Sequence, residues 1–416
     1  MSVRVYLHTF GCRANQYDSE SVAAMVVAGG GALVDSPDLA DVAVFNSCTV
    51  TREAEADLRQ QIRRASRAQP ALQTVVMGCA AARSSSELEA LPSVCHVVAG
   101  ADLPAIGAAI GLAPSAGVRA AVQQRGTRGL LRIQDGCDEH CTFCATTLAR
   151  GGNRSRAVDA ILTEAEGLAA HHTEIVLTGI HIGTFGSDID SSLGRLVSAL
   201  VDRVPQVRFR LSSVEATEVD DQLADLLTGN AGRVAPHLHA PLQSGSDAVL
   251  RRMGRHWYTA RQYGDAIEAL VSRTAVFGLG ADLIAGFPGE TDADHRATCA
   301  LVESLPFTSL HVFPYSERPG TGAVRLPNPV PDDVRRSRAA ELRALGTSKA
   351  GAHVARRAGG TADVIVIGYQ DGHRDGLTED YLQVDLATPA PARGERFRAT
   401  LAPGPSRRGL VALPIV

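Results

Sequence analysis

Apolar runs alternate with amphipathic stretches through residues 1–113 of the chain. Four of the runs predict buried strands, at residues 3–8, 41–46, 74–77 and 96–99. Between them, residues 15–28 and 53–68 have the polar and apolar spacing of helices, and the first of these stretches is followed by three glycines, a strong stop signal. The alternation predicts a small parallel α/β domain over residues 1–113.

A second alternating region follows residues 114–129, a small and polar segment that we interpret as a linker. Its predicted strands are residues 130–134, 174–177, 208–212, 238–241, 280–285 and 309–313, and its predicted helices include residues 157–170, 193–201, 221–227, 260–272 and 292–304. Six strand–helix units predict that residues 130–357 form a partial (β/α)6 barrel, a fold that places its chemistry on the loops after the strands. A long helix rich in arginine and alanine, residues 330–357, ends this region.

The last region has the pattern of a small all-β barrel. Its short apolar runs, at residues 362–367, 381–386, 396–401 and 410–416, are separated by Gly, Asp and Pro turns. Short strands between such turns predict a barrel over residues 358–416. The fold class that we expect for the chain is therefore α/β, with this all-β barrel at its end.

Composition and charge narrow the classes of function. Hydrophobic residues make up 45% of the chain, as in ordinary globular proteins. The net charge of −4 does not indicate nucleic-acid binding by the protein as a whole, so any contact with RNA must come from local basic patches. No apolar run reaches the roughly 18 residues that span a membrane, and no signal peptide is visible, so we expect no membrane partner and a cytoplasmic location. Because that compartment keeps thiols reduced, the eight cysteines indicate metal binding or catalysis.

Three of the cysteines form a compact run directly after the first predicted barrel strand. Cys137, Cys141 and Cys144 have the spacing Cys-x3-Cys-x2-Cys. Three thiolates on one loop can hold a [4Fe–4S] cluster and leave one iron free to chelate S-adenosylmethionine. A structural zinc site is the alternative, but zinc prefers four protein ligands and would need His140 or a distant partner here. The run therefore favours an iron–sulfur cluster.

Three further cysteines share a local setting although they are far apart in sequence. Cys12, Cys48 and Cys79 each follow a predicted strand of the first sheet. The carboxyl ends of parallel strands converge on one crevice, which favours a second cluster over three separately buried thiols. Cys95 opens a predicted strand and Cys299 lies on a predicted helix, so we expect both to serve in packing.

Nine ordered motifs resemble those of the methylthiotransferase family, radical enzymes that insert sulfur into an unactivated C–H bond and methylate it. The motifs are TFGCRANQYDSE at 9–20, NSCTVT at 46–51, GC at 78–79, the cysteine loop at 136–144, LSSVE at 211–215, HLHAPLQSGSD at 237–247, DLIAGFPGE at 282–290, HVFPYS at 311–316 and GLTEDY at 376–381. The resemblance covers essentially the whole chain and identifies residues 358–416 as similar to the TRAM-like RNA-binding barrel of the family.

The resemblance implies a transferase of sulfur-containing groups with two [4Fe–4S] clusters and S-adenosylmethionine as cofactors. In the family, a radical generated at the first cluster takes hydrogen from C2 of an adenine, sulfur from the second cluster follows, and a second S-adenosylmethionine supplies the methyl group. The implied partners are a tRNA anticodon stem-loop, an electron donor such as flavodoxin or ferredoxin, and a sulfur donor. The implied ligands are Cys137, Cys141 and Cys144 for the first cluster and Cys12, Cys48 and Cys79 for the second.

The resemblance also implies a set of polar residues around S-adenosylmethionine, each at or beyond a strand end. They are Thr178, Gly179, Ser212, Ser213, Glu215, Gln243 and Asp282. Helix caps and turns are the alternative role for such residues. Two other groups stand out: His237 and His239, which we expect to be packed or hydrogen-bonded, and Arg150, Arg154 and Arg156, a basic stripe that is either solvated or in contact with RNA phosphates.

The segment Asn15-Gln16-Tyr17 is most similar to family members that act on threonylcarbamoyladenosine beside the anticodon. The expected function is thus conversion of that nucleoside to its 2-methylthio derivative. The alternatives are methylthiolation of isopentenyladenosine in tRNA or of ribosomal protein S12, a radical lyase or methylase with one cluster, and an iron–sulfur RNA-binding protein without turnover.

Overall fold

Five parallel strands form the first sheet of the structure, a computed structural model that describes residues 2–49, 52–112, 123–370, 373–406 and 408–415. The strands are Arg4–Thr9 (β1), Ala32–Val34 (β2), Val42–Ser47 (β3), Gln73–Gly78 (β4) and Val94–Ala99 (β5), in the order β2-β1-β3-β4-β5. The helices around the sheet are Arg13–Ala28 (α1), Arg52–Ala68 (α2), Ser85–Glu89 (α3) and Leu103–Ala109 (α4). Apolar clusters cover both faces, as in other parallel sheets.

The predicted strands of this region all exist, but the prediction of burial is wrong for the last one. Strand β3 is buried along its whole length because it lies in the middle of the sheet. Strand β5 forms the edge, so its side chains are half-buried or exposed. Cys95 is consequently exposed and does not serve in packing, whereas Cys299 is buried within the core of the central region.

The central region contains the six predicted parallel strands. They are Gly129–Arg132 (β6), Glu174–Thr178 (β9), Arg208–Leu211 (β10), His237–His239 (β11), Gly278–Ala285 (β12) and Ser309–Pro314 (β13). Strands β6, β9 and β10 are hydrogen-bonded into one three-stranded sheet, in the order β10-β9-β6. Strands β11, β12 and β13 form another, in the order β11-β12-β13. Parallel bridges at Phe209–Val234 and Ser213–His239 connect the two groups into one curved wall. A short antiparallel hairpin, which the sequence did not predict, follows β6 and pairs Gln134–Asp135 (β7) with Arg154–Ser155 (β8).

Helices cover the outer face of this wall and bury one continuous apolar core. They are Val158–Ala169 (α6), Leu193–Arg203 (α7), Asp221–Gly229 (α8), Asp247–Arg252 (α9), Ala260–Val271 (α10), Asp292–Ser304 (α11) and Asp332–Arg357 (α12), whereas the short helix Thr146–Arg150 (α5) lies in the loop between β7 and β8. Their helical spacing of apolar residues places Ile161, Leu196, Leu223 and Ile267 in that core, each almost fully buried.

The end of the chain forms a closed five-stranded barrel. Its strands are Thr361–Gln370 (β14), His373–Leu377 (β15), Gln383–Leu386 (β16), Arg396–Pro403 (β17) and Leu410–Pro414 (β18), in the order β14-β15-β16-β18-β17. Strand β15 was not predicted. The predicted strand at 381–386 begins later than expected, because Tyr381 has a φ of 69° and belongs to the turn before it.

The fold class predicted from the sequence is confirmed, from the parallel α/β sheet through the partial barrel to the terminal β barrel. The domain boundaries stay predictions, and residues 114–122 of the predicted linker lie outside the described residues. None of the described helices combines the length and apolar character that a membrane span requires.

A buried ion-pair network joins the terminal barrel to the central wall. Glu174 accepts hydrogen bonds from Nε of Arg208 at 2.7 Å and Nε of Arg210 at 2.9 Å. Burial alone would raise the pKa of Glu174, but the two guanidinium groups hold it well below its usual range. The arginines also donate to the backbone carbonyls of Asp363, Thr378 and Glu379 in the barrel. One carboxylate therefore supports two arginines that reach across the junction.

We expect Glu174→Gln to lower the free energy of unfolding by about 3–5 kcal/mol, since it leaves the buried Arg210 without its counter-charge and Arg208 with only Asp363, at 3.4 Å. Denaturant unfolding measures this change. The matched control is Asp221→Asn, which breaks an exposed pair with Arg273 and should cost less than about 1 kcal/mol. Equal losses in the two variants would show that the Glu174 network does not stabilise the junction.

Candidate active site

The three separated cysteines of the first region follow three adjacent strands. Cys12, Cys48 and Cys79 lie just beyond the carboxyl ends of β1, β3 and β4, which are neighbours in the sheet. Gly11 has a φ of 93°, and a Cβ atom there would lie 2.6 Å from Sγ of Cys48. Only glycine allows the chain to pass so close to that thiol.

Asn15 holds the three strand ends together from the first turn of α1. Its Nδ2 donates to the carbonyls of Phe10 and Ser47, both at 2.9 Å. Its Oδ1 lies 4.0 Å from Sγ of Cys12 and 3.8 Å from Sγ of Cys79. Two thiols from distant parts of the sequence thus face one amide oxygen, and Cys48 lies against Gly11, just before α1. The predicted convergence of the three thiols is present.

The compact cysteine run occupies a loop that the backbone holds at several points. The N–H of Cys137 donates to the carbonyl of Gly151 at 3.0 Å, and the N–H of Cys144 donates to that of Cys141 at 3.1 Å. The loop follows the short strand β7 and precedes β8, so it does not come directly after the first barrel strand β6. The three thiols face a single cleft at the carboxyl ends of the barrel strands.

The structure divides the residues predicted to surround S-adenosylmethionine into two groups. Ser213, Glu215 and Gln243 line the cleft together with the three cysteines, and Asp282 lines an adjoining cavity with Cys144 and Gln243. Thr178, Gly179 and Ser212 are not among the lining residues. Their assignment stays a prediction.

These three residues shape the strand ends behind the cleft. Thr178 is buried in β9, and Gly179 packs so closely on the carbonyl of Gln134 that a Cβ atom would lie 2.7 Å away. The hydroxyl of Ser212 is buried and has no hydrogen-bond partner among the described residues. An unsatisfied polar atom at this point is compatible with a bound group that is not part of the protein.

Both cysteine groups have the chemistry of metal ligands. Burial raises the pKa of the Cys79 thiol to about 11 and that of Cys141 to about 12. Such thiols stay protonated and inert near neutral pH unless a metal ion binds and deprotonates them. None of the eight cysteines forms a disulfide. Two sets of three convergent thiols therefore fit iron–sulfur clusters.

Two arginines lie against these thiols, and the sequence predicted neither contact. Nε of Arg150 lies 3.4 Å from Sγ of Cys79, and Nη1 of Arg255 lies 3.6 Å from Sγ of Cys141. Arg255 also pairs with Glu215 and lies 4.7 Å from the centre of the Trp257 ring. A guanidinium beside a thiolate offsets its charge. The two cations therefore favour negatively charged groups at both cysteine sites.

The predicted basic stripe does not exist as one surface. Arg150 is buried and donates to Oδ1 of Asn15 and Oδ2 of Asp18, both at 2.7 Å. Arg156 pairs with Glu164 at 2.7 Å, and only Arg154 is exposed. Arg150 connects the helix after the cysteine loop to the first sheet, so it brings the two cysteine sites together.

His181 is a further contact that the sequence analysis missed. Its Nδ1 lies 3.4 Å from Sγ of Cys137, and its Nε2 pairs with Glu218 at 2.7 Å. It lies two residues beyond the predicted Thr178-Gly179 pair, at the same strand end. Position after a barrel strand was therefore the signal that could have identified it.

Comparisons with known families match two parts of the chain. Residues 4–100 match the uncharacterized protein family UPF0004, and residues 131–302 match the radical SAM superfamily. The first match covers the sheet with Cys12, Cys48 and Cys79, and the second covers the barrel with the compact cysteine run.

Curated relatives match most of the chain. The threonylcarbamoyladenosine tRNA methylthiotransferase MtaB of Bacillus subtilis (strain 168) is 37% identical over 82% of the chain and 80% of its own length. The MtaB protein of Rickettsia prowazekii (strain Madrid E) is 32% identical over 96% of the chain and 95% of its own length. The tRNA-2-methylthio-N(6)-dimethylallyladenosine synthase of Acidithiobacillus ferrooxidans (strain ATCC 53993 / BNL-5-31) is 32% identical over 97% of the chain and 87% of its own length.

A solved structure also shares the fold. The radical S-adenosylmethionine methyltransferase TsrM from Kitasatospora setae, with cobalamin and a [4Fe-4S] cluster bound, superposes with a TM-score of 0.58. The alignment covers 78% of this chain and 77% of that chain at 16% identity. At that identity, the likeness concerns the fold alone.

Arg150→Met removes a buried cation from Asn15, Asp18 and Cys79, whereas Arg154→Met changes an exposed arginine four residues away. Hydrogen bonds to charged groups contribute about 1.5–3 kcal/mol each, and Asp18 keeps its second partner Arg132. We therefore expect Arg150→Met to lower the free energy of unfolding by about 3 kcal/mol and Arg154→Met by less than about 0.5 kcal/mol. Denaturant unfolding measures both, and indistinguishable variants would refute the bridging role.

Proposed function

The chain belongs to the radical S-adenosylmethionine methylthiotransferase family, and we propose that it converts N6-threonylcarbamoyladenosine beside the tRNA anticodon into its 2-methylthio derivative. As a member of that family it is an enzyme that uses S-adenosylmethionine and an iron–sulfur cluster. The choice of nucleoside rests on the relatives named for it, which are 30–37% identical over most of the chain.

The observation that carries the proposal is the proximity of two cysteine groups. Arg150 lies at the end of the short helix after Cys144 and contacts Cys79 across the interface. We propose two [4Fe–4S] clusters, held by Cys137, Cys141 and Cys144 and by Cys12, Cys48 and Cys79. When bound, the first cluster supplies the electron that cleaves S-adenosylmethionine and the second supplies sulfur. An aromatic C–H bond needs this chemistry because it offers acid–base catalysis no acidic proton.

The residues of the cleft bind and orient S-adenosylmethionine in this proposal. Ser213, Glu215 and Gln243 offer polar contacts, and Gln243 has a φ of 63°, a strained conformation of the kind found at ligand sites. Arg255 fixes Glu215, while the apolar ring of Trp257 lines the cleft and helps to exclude water. Thr178, Gly179 and Ser212 shape the strand ends behind these groups.

The terminal barrel, residues 358–416, binds RNA in this proposal. Arg374, Arg393 and Arg398 are exposed there and can contact phosphates without reading sequence. An electron donor such as flavodoxin or ferredoxin and a separate sulfur donor complete the reaction, which we place in the cytoplasm. The dimethylallyladenosine enzymes are a second candidate, because one of them aligns with 97% of the chain.

Expression in a host that lacks its own enzyme should produce a new 2-methylthio-threonylcarbamoyladenosine in its tRNA. Mass spectrometry of the tRNA nucleosides detects it, and Cys141→Ala should abolish it because the first cluster then lacks a ligand. A product derived from dimethylallyladenosine would favour the second candidate. An unchanged profile from an iron-loaded protein would contradict both.

The number of clusters can be tested by iron analysis of the anaerobically reconstituted protein. Wild type should bind about eight irons per chain, and the triple variant Cys12→Ala, Cys48→Ala, Cys79→Ala about four. Cys95→Ala is the matched control, since that thiol is exposed and distant from both groups in the fold, and it should keep about eight. A triple variant with the iron content of wild type would exclude the second cluster.

A further inference from the structure

Three side chains on adjacent barrel strands form a cluster in which Asp282, one of the residues predicted to surround S-adenosylmethionine, is joined by two histidines that the proposed reaction does not use. Oδ1 of Asp282 lies 3.0 Å from Nε2 of His239 and 3.2 Å from Nδ1 of His311. The register places His239 beside Gly280 and Asp282 beside His311. A Cβ atom on Gly280 would lie 2.6 Å from Nδ1 of His239, so glycine makes room for that ring.

The cluster lies between the two cysteine groups. Asp282 lines the cavity that contains Cys144 of the first group. On the other side, Arg13 follows Cys12 of the second group, and its charge acts on His311, where it weakly opposes the larger effect of Asp282 on the pKa of that ring. The side chain of His311 is 62% exposed, so it is open to a ligand in this space.

The charges of the cluster favour an anion. The hydrogen bond to Asp282 raises the pKa of His311, which favours its protonated form. Burial opposes ionisation of Asp282, but His239 and His311 hold its pKa below its usual range. When His311 is protonated, it and Arg13 provide two cations against one carboxylate. Among the described residues, Nε2 of His311 has no hydrogen-bond partner, so this donor is available.

We infer that His311, oriented by Asp282 and assisted by Arg13, binds the carboxylate of the threonine moiety and so selects threonylcarbamoyladenosine over nucleosides with apolar substituents. The inference rests on the proposed function and names the group that the site recognises. A dimethylallyl group carries no charge, so it would leave these polar groups unpaired, and sites of that kind discriminate strongly. A divalent ion held by the same three side chains is the competing interpretation.

The test compares two anticodon stem-loop RNAs, one with threonylcarbamoyladenosine and one whose threonine carboxylate is replaced by a carboxamide. We expect the iron-loaded wild type to bind the carboxylate RNA about 10- to 100-fold more tightly than the carboxamide RNA. His311→Gln should lose most of this preference by weakening only the carboxylate complex. His311→Lys should restore part of it, because it returns a positive charge.

His171→Gln serves as the control, since His171 is an exposed histidine in the turn between α6 and the amino end of β9, away from the cleft, and should keep the wild-type preference. If His311→Gln weakened the binding of both RNAs equally, or if that variant lost a bound divalent ion, the inference would be overturned and the proposed function would stand. Wild type that binds and modifies neither RNA would overturn the proposed function together with it. Iron content and circular dichroism of each variant confirm that it is folded and loaded.

Discussion

The buried contacts of Arg150 are the constraint on which the rest of the active site depends. This side chain begins on the helix after one cysteine group and ends against a thiol of the other, with Asn15 and Asp18 as its partners. Removing a guanidinium from water is costly unless it is paired and hydrogen-bonded, so the contact persists only when both sheets are in place. It sets the separation of the two groups.

A second junction connects the terminal barrel to the same site. Tyr381 of the barrel stacks on His237 with ring centres 4.5 Å apart, and its hydroxyl accepts a hydrogen bond from Arg13 at 2.8 Å. Arg13 is also the residue after Cys12 and the cation near His311. The part of the chain proposed to bind RNA is thus in direct contact with residues beside one cysteine group and beside the proposed carboxylate site.

Much of this arrangement could be predicted from the sequence because it depends on local patterns. The alternation of apolar runs located the six barrel strands, and the position of Cys12, Cys48 and Cys79 after strands predicted their convergence. The buried state of Arg150 could not be predicted, since its partners are more than 100 residues away in the chain. Arg255 and Tyr381 escaped detection for the same reason, since their partners Cys141 and Arg13 are also more than 100 residues away. His181 was missed although its position after a barrel strand marked it, and the exposure of β5 follows from its place at the edge of the sheet.

The central claim is that two clusters lie close together on either side of one substrate cavity. Electron paramagnetic resonance of the reduced, reconstituted protein tests it most directly, because magnetic interaction between two paramagnetic clusters falls steeply with distance. The account predicts a spectrum broadened by coupling in wild type, which becomes a single uncoupled signal when Cys12, Cys48 and Cys79 are replaced. A wild-type spectrum equal to the sum of two isolated clusters would contradict it.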